Sequence, residues 1–289
     1  MSIVEKKNFQ TFQDSNNVYK PTNEKETANF IREIYNNNLP TTIIGTNSKS
    51  FIGNKLQSAK VLDLSSLSGI VEYLPEELYI KVKACTPISL IEETLEKNNQ
   101  QLAFEPIDFG YIKDFKSNKG TAAGQLSCNF SGSRRFKVGS IRDHVLGFRG
   151  INGKGNIIKS GGVVVKNVTG YDLSKLVTGS FGTLVALTEI TFKVLPKKDS
   201  TSTLIIYSED NKIITDLFDQ LLSSSNEISG SAYMPNEPKN KNYIINRNKV
   251  FKFNDLKYEE PFVAVRIEGT KKSIEERIKD IYKELQLKK

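Results

Sequence analysis

Three glycine-bearing loops hold the residues of this chain whose types and spacing could do chemistry. The first, Gly45 to Gly53, reads Gly45, Thr46, Asn47, Ser48, Lys49, Ser50 and onward, directly after the apolar run at Ile43 and Ile44. Small and hydroxyl side chains there leave successive backbone N–H groups free, and consecutive free N–H groups make a nest for an anion such as a pyrophosphate. The second runs from Thr121 to Arg135 and is followed by the segment Gly139 to Gly147. Its small residues let backbone approach a flat ring system, while Arg134, Arg135 or Arg142 could grip a phosphate or carboxylate through two parallel hydrogen bonds. The third, Gly161 to Pro196, holds five glycines, at 161, 162, 170, 179 and 182. Asp172 is placed to cap a short helix from Leu173 to Val177, with Gly179 and Gly182 shaping its exit. Together these are the means by which a chain brings bare backbone close to an extended cofactor.

The elements that must position these loops follow from periodicity. After a polar start of about 17 residues, expected to be flexible, Val18-Tyr19-Lys20-Pro21 reads as a short strand. Thr22 or Asn23 can cap a helix carrying Ala28, Ile31, Ile34 and Tyr35 on one face, and Thr41 to Ile44 is a buried strand, giving a βαβ-like opening. Three strands follow at Val61–Leu64, Gly69–Tyr73 and Leu78–Ala84, and Thr86-Pro87 supplies an N-cap and N1 proline to a helix striped by Ile88, Ile91 and Leu95. A second α/β unit is expected from Leu102 through the third loop, ending in a half-buried strand with Ile190, Phe192 and Val194 on one side. A polar hinge at Lys197 to Ser202 marks a domain boundary. Beyond it lie a strand at Thr203–Tyr207, a helix at Asn211–Leu222, strands near Gly230–Tyr233, Tyr243–Asn246 and Phe262–Glu268, and a helix at Lys272–Leu287. With no strand after that helix, this second domain is expected to be an abbreviated α+β cap.

Composition narrows the function classes. The chain has 289 residues, is 38 % hydrophobic and 26 % charged, and is globular by those measures. Its longest apolar runs, such as Val163-Val164-Val165, are far short of the roughly 20 residues that span a bilayer. The polar run after Lys6 and Lys7 excludes a signal peptide, so a cytoplasmic location is expected. Cys85 and Cys128 are the only cysteines, too few and too far apart for a disulfide scaffold or a metal site, and are expected to be reduced packing residues. A net charge of +8 invites a nucleic-acid reading, but the lysines are spread along the chain and no recognition module accompanies them. No nucleic-acid partner is expected.

The run Gly161-Gly162, Lys166-Asn167-Val168-Thr169-Gly170-Tyr171-Asp172-Leu173, Gly179-Ser180-Phe181-Gly182-Thr183-Leu184 and Lys193-Val194-Leu195-Pro196 resembles the closing motif of FAD-binding domains of the vanillyl-alcohol-oxidase and p-cresol-methylhydroxylase (PCMH) type. Within that superfamily, Phe104-Glu105-Pro106, Phe109-Gly110, Ser131-Gly132-Ser133-Arg134-Arg135 and Ile141-Arg142-Asp143-His144-Val145-Leu146-Gly147 most closely resemble the small FAD-binding E subunits of glycolate oxidases. The resemblance covers roughly residues 18 to 196 and rests on several ordered motifs. It implies an α+β fold: a PCMH-type FAD-binding domain of two α/β subdomains over residues 18–197, then the abbreviated cap over 198–289.

FAD is then expected with its pyrophosphate on Gly45, Thr46, Asn47, Ser48, Lys49 and Ser50. Further contacts are expected from Pro106, Thr121, Ala123, Gly124, Ser127, Ser131, Gly132, Arg134, Gly139, Ile141, Lys166, Asn167, Gly170, Tyr171 and Asp172. Covalent attachment in the superfamily uses histidine, cysteine or tyrosine near these loops, and no histidine lies in the loops proper, so noncovalent FAD is expected. The first loop departs from the family's Gly-Gly-Gly-Ser-Lys-like run at Thr46 and Asn47; Asn tolerates positive φ, whereas Thr does so poorly. Ala123 stands where a paired glycine is common.

The resemblance further implies a multi-subunit oxidase of glycolate or a related small 2-hydroxy acid, producing glyoxylate. A sister FAD subunit would carry the substrate site, and an iron–sulfur subunit would take the electrons. Any membrane association would pass through these partners. Oxidising a hydroxy acid needs a base for the hydroxyl proton. His144, the one histidine, is expected to be structural, at the entry of a strand into the core, so no catalytic residue is assigned. Two other readings fit the loops: a stand-alone FAD oxidoreductase for another small alcohol or acid, and an FAD-free structural subunit of the same kind of complex.

Overall fold

A computed structural model describes residues 17–54, 57–110, 118–163, 170–208, 210–235 and 260–285. The expected flexible N-terminus, apart from Asn17, and the expected strand at Tyr243–Asn246 lie outside the described residues. The chain divides into two units. The first comprises Met1–Leu102, Pro106–Phe130 and Ser140–Leu195; the second comprises Ala103–Glu105, Ser131–Gly139 and Pro196–Lys289.

In the first unit Asn23 accepts a hydrogen bond from the Glu26 amide at 2.9 Å and starts α1 (Glu24–Asn36). The strands β1 (Val18–Tyr19), β2 (Thr41–Ile44) and β3 (Lys60–Asp63) form a small parallel sheet in the order β1-β3-β2. A larger antiparallel sheet follows the order β4-β5-β9-β7-β8, from β4 (Ile70–Leu74), β5 (Tyr79–Lys83), β7 (Val145–Asn152), β8 (Ile157–Gly161) and β9 (Val185–Lys193). Between β5 and β7 lie α2 (Ile88–Glu96), the two-residue β6 (Gln100–Gln101), α3 (Ala122–Cys128), α4 (Arg135–Val138) and α5 (Ile141–His144), and α6 (Leu173–Val177) precedes β9.

The buried stripe of α1, Ala28 and Ile31, packs with Leu62 and Leu64 after it in the small sheet and with Ile151 and Ala186 of the large one. One helix face thus serves both sheets. Glu24 reinforces the join: its carboxylate accepts from Arg149 on β7 at 2.6 Å and from Thr188 on β9 at 2.8 Å. Burial raises the Glu24 carboxyl, but these donors outweigh it and hold it below the usual carboxylate range.

Two local expectations change. Thr86 does not cap α2; its hydroxyl donates to Lys83 O at 2.7 Å and accepts from the Gly69 amide at 3.0 Å, and Pro87 occupies the cap position. Along β9, Glu189 and Lys193 are partly exposed as the alternation predicts, whereas Thr191 between them is buried.

The second unit contains β11 (Ser200–Tyr207), α7 (Asn211–Ser223), β12 (Gly230–Met234), β13 (Phe262–Gly269) and α8 (Lys271–Glu284), with β10 (Leu195–Pro196) leading into it. Its antiparallel sheet has the order β11-β13-β12. Both helices cover one sheet face, where Ile206, Val263, Val265 and Ile267 pack with Ile214, Leu217 and Leu221 of α7 and Ile274 and Ile281 of α8.

The opposite face carries a charged network. Glu105, at φ +52, accepts from the Arg134 amide at 2.8 Å and from Arg266 Nη1 at 2.6 Å. Arg134 in turn donates through Nε to Glu268 at 2.9 Å and through Nη2 to the same carboxylate. Gly132 closes the knot: its amide donates to Phe104 O and Glu105 O, both at 2.9 Å, and a β-carbon there would sit 2.6 Å from that of Glu105. Two arginines and two glutamates therefore tie residues 103–105 and 131–134 to β13.

Burial raises the Glu268 carboxyl, but the hydrogen bonds from Arg134 and Ser229 and the charges of Arg134 and Arg266 outweigh it and lower its pKa from 4.5. A depressed carboxylate stabilises the fold above its unfolded pKa and loses that contribution as pH falls through the folded one. The substitution Glu268→Gln, which leaves Arg134 short of its counter-charge, should cost about 3 kcal/mol at neutral pH. In urea unfolding measured across pH, the gap between wild type and variant should narrow below about pH 4.5.

Candidate functional site

The site is built where the first two loops meet within the first unit. Gly45 leaves the end of β2 with little room for a side chain, since a β-carbon there would lie 3.0 Å from Cys85 Sγ and 3.4 Å from Thr121 Oγ1. The left-handed turn that follows falls on Asn47, at φ +53, so Thr46 is spared that strain and stays exposed. Ser48 turns inward and is buried, Lys49 is half-buried, and Ser50 faces solvent. The Ser50 and Ile52 amides close turns onto Asn47 O and Lys49 O. Among the described residues, the amides of residues 46 to 49 have no hydrogen-bond acceptor. That is the donor set of an anion nest.

Opposite this loop, Thr121 caps α3 by accepting from the Gly124 amide at 3.2 Å. The Ala122 and Ala123 amides donate to Thr86 O at 3.0 Å and Ala84 O at 2.8 Å. The first turn of α3 thus spends its donors on the fold, and Ala123 serves there by its backbone. Gly120, at φ +72, sets the approach of the two loops: a β-carbon would lie 2.6 Å from Ser48 Oγ and 2.8 Å from Lys49 Nζ. At Gly124 a β-carbon would lie 3.5 Å from the same ammonium. Lys49 donates to Ser48 Oγ at 3.4 Å and makes no ion pair among the described residues. Burial pushes the ammonium below its ordinary pKa, with Cys128 and Asp108 partly opposing the shift. Asp108 turns elsewhere, its Oδ1 accepting from the Gly110 and Asn118 amides.

The third loop closes on the far end of α3. The Gly179 amide donates to Leu126 O at 3.1 Å and the Phe181 amide to Ser127 O at 2.8 Å. Ahead of it, Asp172 caps α6 through the Lys175 amide at 3.2 Å, Gly170 takes φ +82, and Tyr171 is 93 % exposed. Lys166 and Asn167 lie outside the described residues.

Of the other expected contacts, Pro106 is buried in the first unit and Ile141 is a fully buried core residue. Ser131, Gly132, Arg134 and Gly139 belong to the second unit, with the Arg134 guanidinium committed to Glu268. His144 sits at the C-terminal end of α5, only 3 % exposed, rather than in the strand expected of it. Burial raises the Cys85 thiol to about 12 and also raises that of Cys128, which Lys49 partly counters, so neither is a ready thiolate.

Sequence reasoning passed over Gly120, although Asn118-Lys119-Gly120 before a capping threonine is a turn signal. It also passed over Gln125, which is fully buried with Nε2 donating to Ile107 O and Lys119 O, both at 2.7 Å, and Oε1 without a partner among the described residues. No local signal distinguishes that glutamine from a surface one. The described residues hold no cluster of metal-ligating type and no helix long and apolar enough to cross a membrane.

A free cation, a row of open amides and two glycines that admit close approach fit the diphosphate of a dinucleotide. The chain is 41 % identical over 174 residues to glycolate oxidase subunit GlcE of Escherichia coli (strain K12), covering 60 % of this chain and 47 % of that protein. Against a D-lactate dehydrogenase of Anaerostipes hadrus it is 29 % identical over 195 residues, covering 67 % and 39 %. The chain thus spans about half or less of the length of these curated relatives. Among solved structures, an alkyldihydroxyacetonephosphate synthase matches 93 % of this chain and 50 % of its own with a TM-score of 0.69 at 17 % identity, which establishes a shared fold. Residues 16–161 match the family described as FAD binding domain, half of the sequence and the stretch that builds both facing loops, and the chain belongs to that family.

Proposed function

We propose that this chain is the FAD-holding subunit of a multi-subunit oxidoreductase that converts glycolate, or a related 2-hydroxy acid, to the corresponding oxo acid. The observation that carries the reading is the meeting of Ser48 and Lys49 with Gly120 and Gly124, which leaves a cation and open amides facing a cradle without side chains. In this reading the amides of residues 46 to 49, the Ser48 and Ser50 hydroxyls and the Lys49 ammonium hold the pyrophosphate. When bound, the flavin supplies the two-electron acceptor for alcohol oxidation. Noncovalent binding is proposed, since the one histidine of the chain is buried at the end of α5 and both thiols are raised in pKa.

The name of the Escherichia coli relative supports glycolate as the substrate and a complex as the setting. A second relative, glycolate oxidase subunit GlcD of Bacillus subtilis (strain 168), is 40 % identical over 101 residues, 35 % of this chain and 22 % of that one, and supports a sister flavoprotein. Side chains of the second unit support such a division of labour. Arg134 and Arg266, two arginines of the second unit, are already matched by Glu105 and Glu268. We therefore assign substrate binding and the proton-accepting base to the sister chain, and onward electron transfer to an iron–sulfur subunit.

Titration of the purified chain with FAD, followed by flavin fluorescence, should show saturable uptake near one per chain; no uptake would sink the proposal. Replacing the charged anchor in Lys49→Met removes a charge-assisted contact of about 1.5–3 kcal/mol, so FAD affinity should fall roughly 10- to 100-fold. Riboflavin, which lacks the diphosphate, should bind both forms alike. The change Gly120→Ala, which forces a left-handed alanine against Ser48 and Lys49, should weaken FAD binding at least as much.

A further inference from the structure

A buried amide side chain fixes the backbone beside Gly120. Gln125, on α3 and fully enclosed, donates through Nε2 to Ile107 O and to Lys119 O, both at 2.7 Å. Those carbonyls belong to separate stretches of chain, one just after Pro106 and one immediately before Gly120. The helix that carries Gln125 is itself fastened, its Ala122 and Ala123 amides donating to Thr86 O and Ala84 O. From the other side, the Ile88 amide at the start of α2 donates to Gly120 O at 3.0 Å. The remaining ties locate this peptide less well. Asn118 Oδ1 accepts from the Gly120 amide at 2.9 Å, which shapes the turn and would travel with it. The Asn118 amide donates to Asp108 Oδ1 at 2.8 Å, joining the two stretches to each other but not to the helix. Lys119 pairs with Glu92 at 2.7 Å, but both side chains are about one-third exposed, and an ion pair open to water holds position poorly.

We propose that Gln125 is a positioning residue for the diphosphate of the bound cofactor, which rests on reading the cradle of Ser48, Lys49 and Gly120 as a dinucleotide site. The side chain meets no ligand atom; it holds the Lys119–Gly120 peptide so that bare backbone stands against Ser48 Oγ and Lys49 Nζ. The tolerance there is small. Gly120 has φ +72, and a β-carbon on it would lie 2.6 Å from Ser48 Oγ and 2.8 Å from Lys49 Nζ, so its place sets how far both side chains reach inward. Charge-assisted contacts depend on distance and angle, and a displacement of about 1 Å at a positioned group can cost on the order of 100-fold. Without the Gln125 donors, the link from Ile88 would be the one backbone bond from a helix to this peptide among the described residues, and the peptide could turn about it.

The substitution Gln125→Met nearly keeps the side chain's volume and removes both donors. In the full chain without FAD, hydrogen exchange at the Asn118 and Gly120 amides should quicken at least about fivefold, with the Ala122 and Ala123 amides as protected as before. The dissociation constant for FAD should rise about tenfold or more while that for riboflavin, which lacks the diphosphate, stays unchanged. In a Lys49→Met background the same change should cost less than about threefold, because the peptide then has no cation to face. A merely structural glutamine behaves differently: Gln100 is also buried, donates to Pro75 O and accepts from the Tyr73 hydroxyl, both at 2.8 Å, so Gln100→Met should lower the melting temperature and leave FAD affinity unchanged. Gln125→Glu, of the same shape, is read in the same way should Gln125→Met fold poorly. Unchanged exchange at Asn118 and Gly120, equal weakening of FAD and riboflavin, a loss that persists in full without Lys49, or the same loss in Gln100→Met overturns the proposal. A wild-type chain that takes up no FAD overturns the cofactor reading instead, and the exchange measurement then decides by itself whether Gln125 fixes the peptide.

Discussion

The approach of Ser48 and Lys49 to Gly120 is the contact on which the candidate site depends. A β-carbon at Gly120 would fall within 3 Å of Ser48 Oγ and Lys49 Nζ, so both side chains take up their present places against bare backbone. Everything upstream serves that approach. The Thr121 cap and the amides of Ala122 and Ala123 fasten the start of α3 to Ala84 and Thr86 just past β5, while the parallel pairing of β2 with β3 fixes where the first loop departs. Because α3 uses its first-turn donors in this anchoring, the donors left for a ligand come from the first loop. Rigidity and binding are thereby assigned to opposite walls of one cradle.

Charge follows the same division. Lys49 is half-buried without a carboxylate of its own among the described residues, so burial lowers its pKa and an incoming dianion would restore what burial took away. Arg134 and Arg266 are the opposite case. Each guanidinium is met by a glutamate, and truncating either glutamate would strand a buried charge rather than free a useful one. A guanidinium that looks like a ligand clamp in sequence is here a structural tie, whereas an ordinary loop lysine is left without a carboxylate among the described residues.

Local features were legible in the sequence to the degree that their partners lay close by. Asn23, the apolar stripe of α1, and the Asp172 cap of α6 were readable because a cap and its amide are three residues apart. The Thr86 cap was misread because its hydroxyl is taken by Gly69 and Lys83, which lie on the N-terminal side of it. Along β9 the alternation foretells the burial of Ile190 and Phe192 and the partial exposure of Glu189 and Lys193, but not the burial of Thr191. The commitment of Arg134 was least legible of all: Glu268 lies 134 residues away, and no spacing rule reaches that far. The family motifs showed which loops converge, whereas the roles of individual side chains within them depended on such distant partners.

The second unit builds its described core around a three-stranded sheet. Three strands with two helices on one face bury an apolar layer, from Ile206 through Ile281, and leave the other face to a four-membered ionic network. Ionic networks specify geometry better than they stabilise it. Here the network gathers residues 103–105 and 131–134, which interrupt the first unit's chain twice, onto β13. Glu105 holds a left-handed backbone to do so, a strain of order 1 kcal/mol that persists only where its surroundings over-determine it. The short path from α3 through Ser131 to Arg134 therefore makes the same stretch of sequence answer to two different cores.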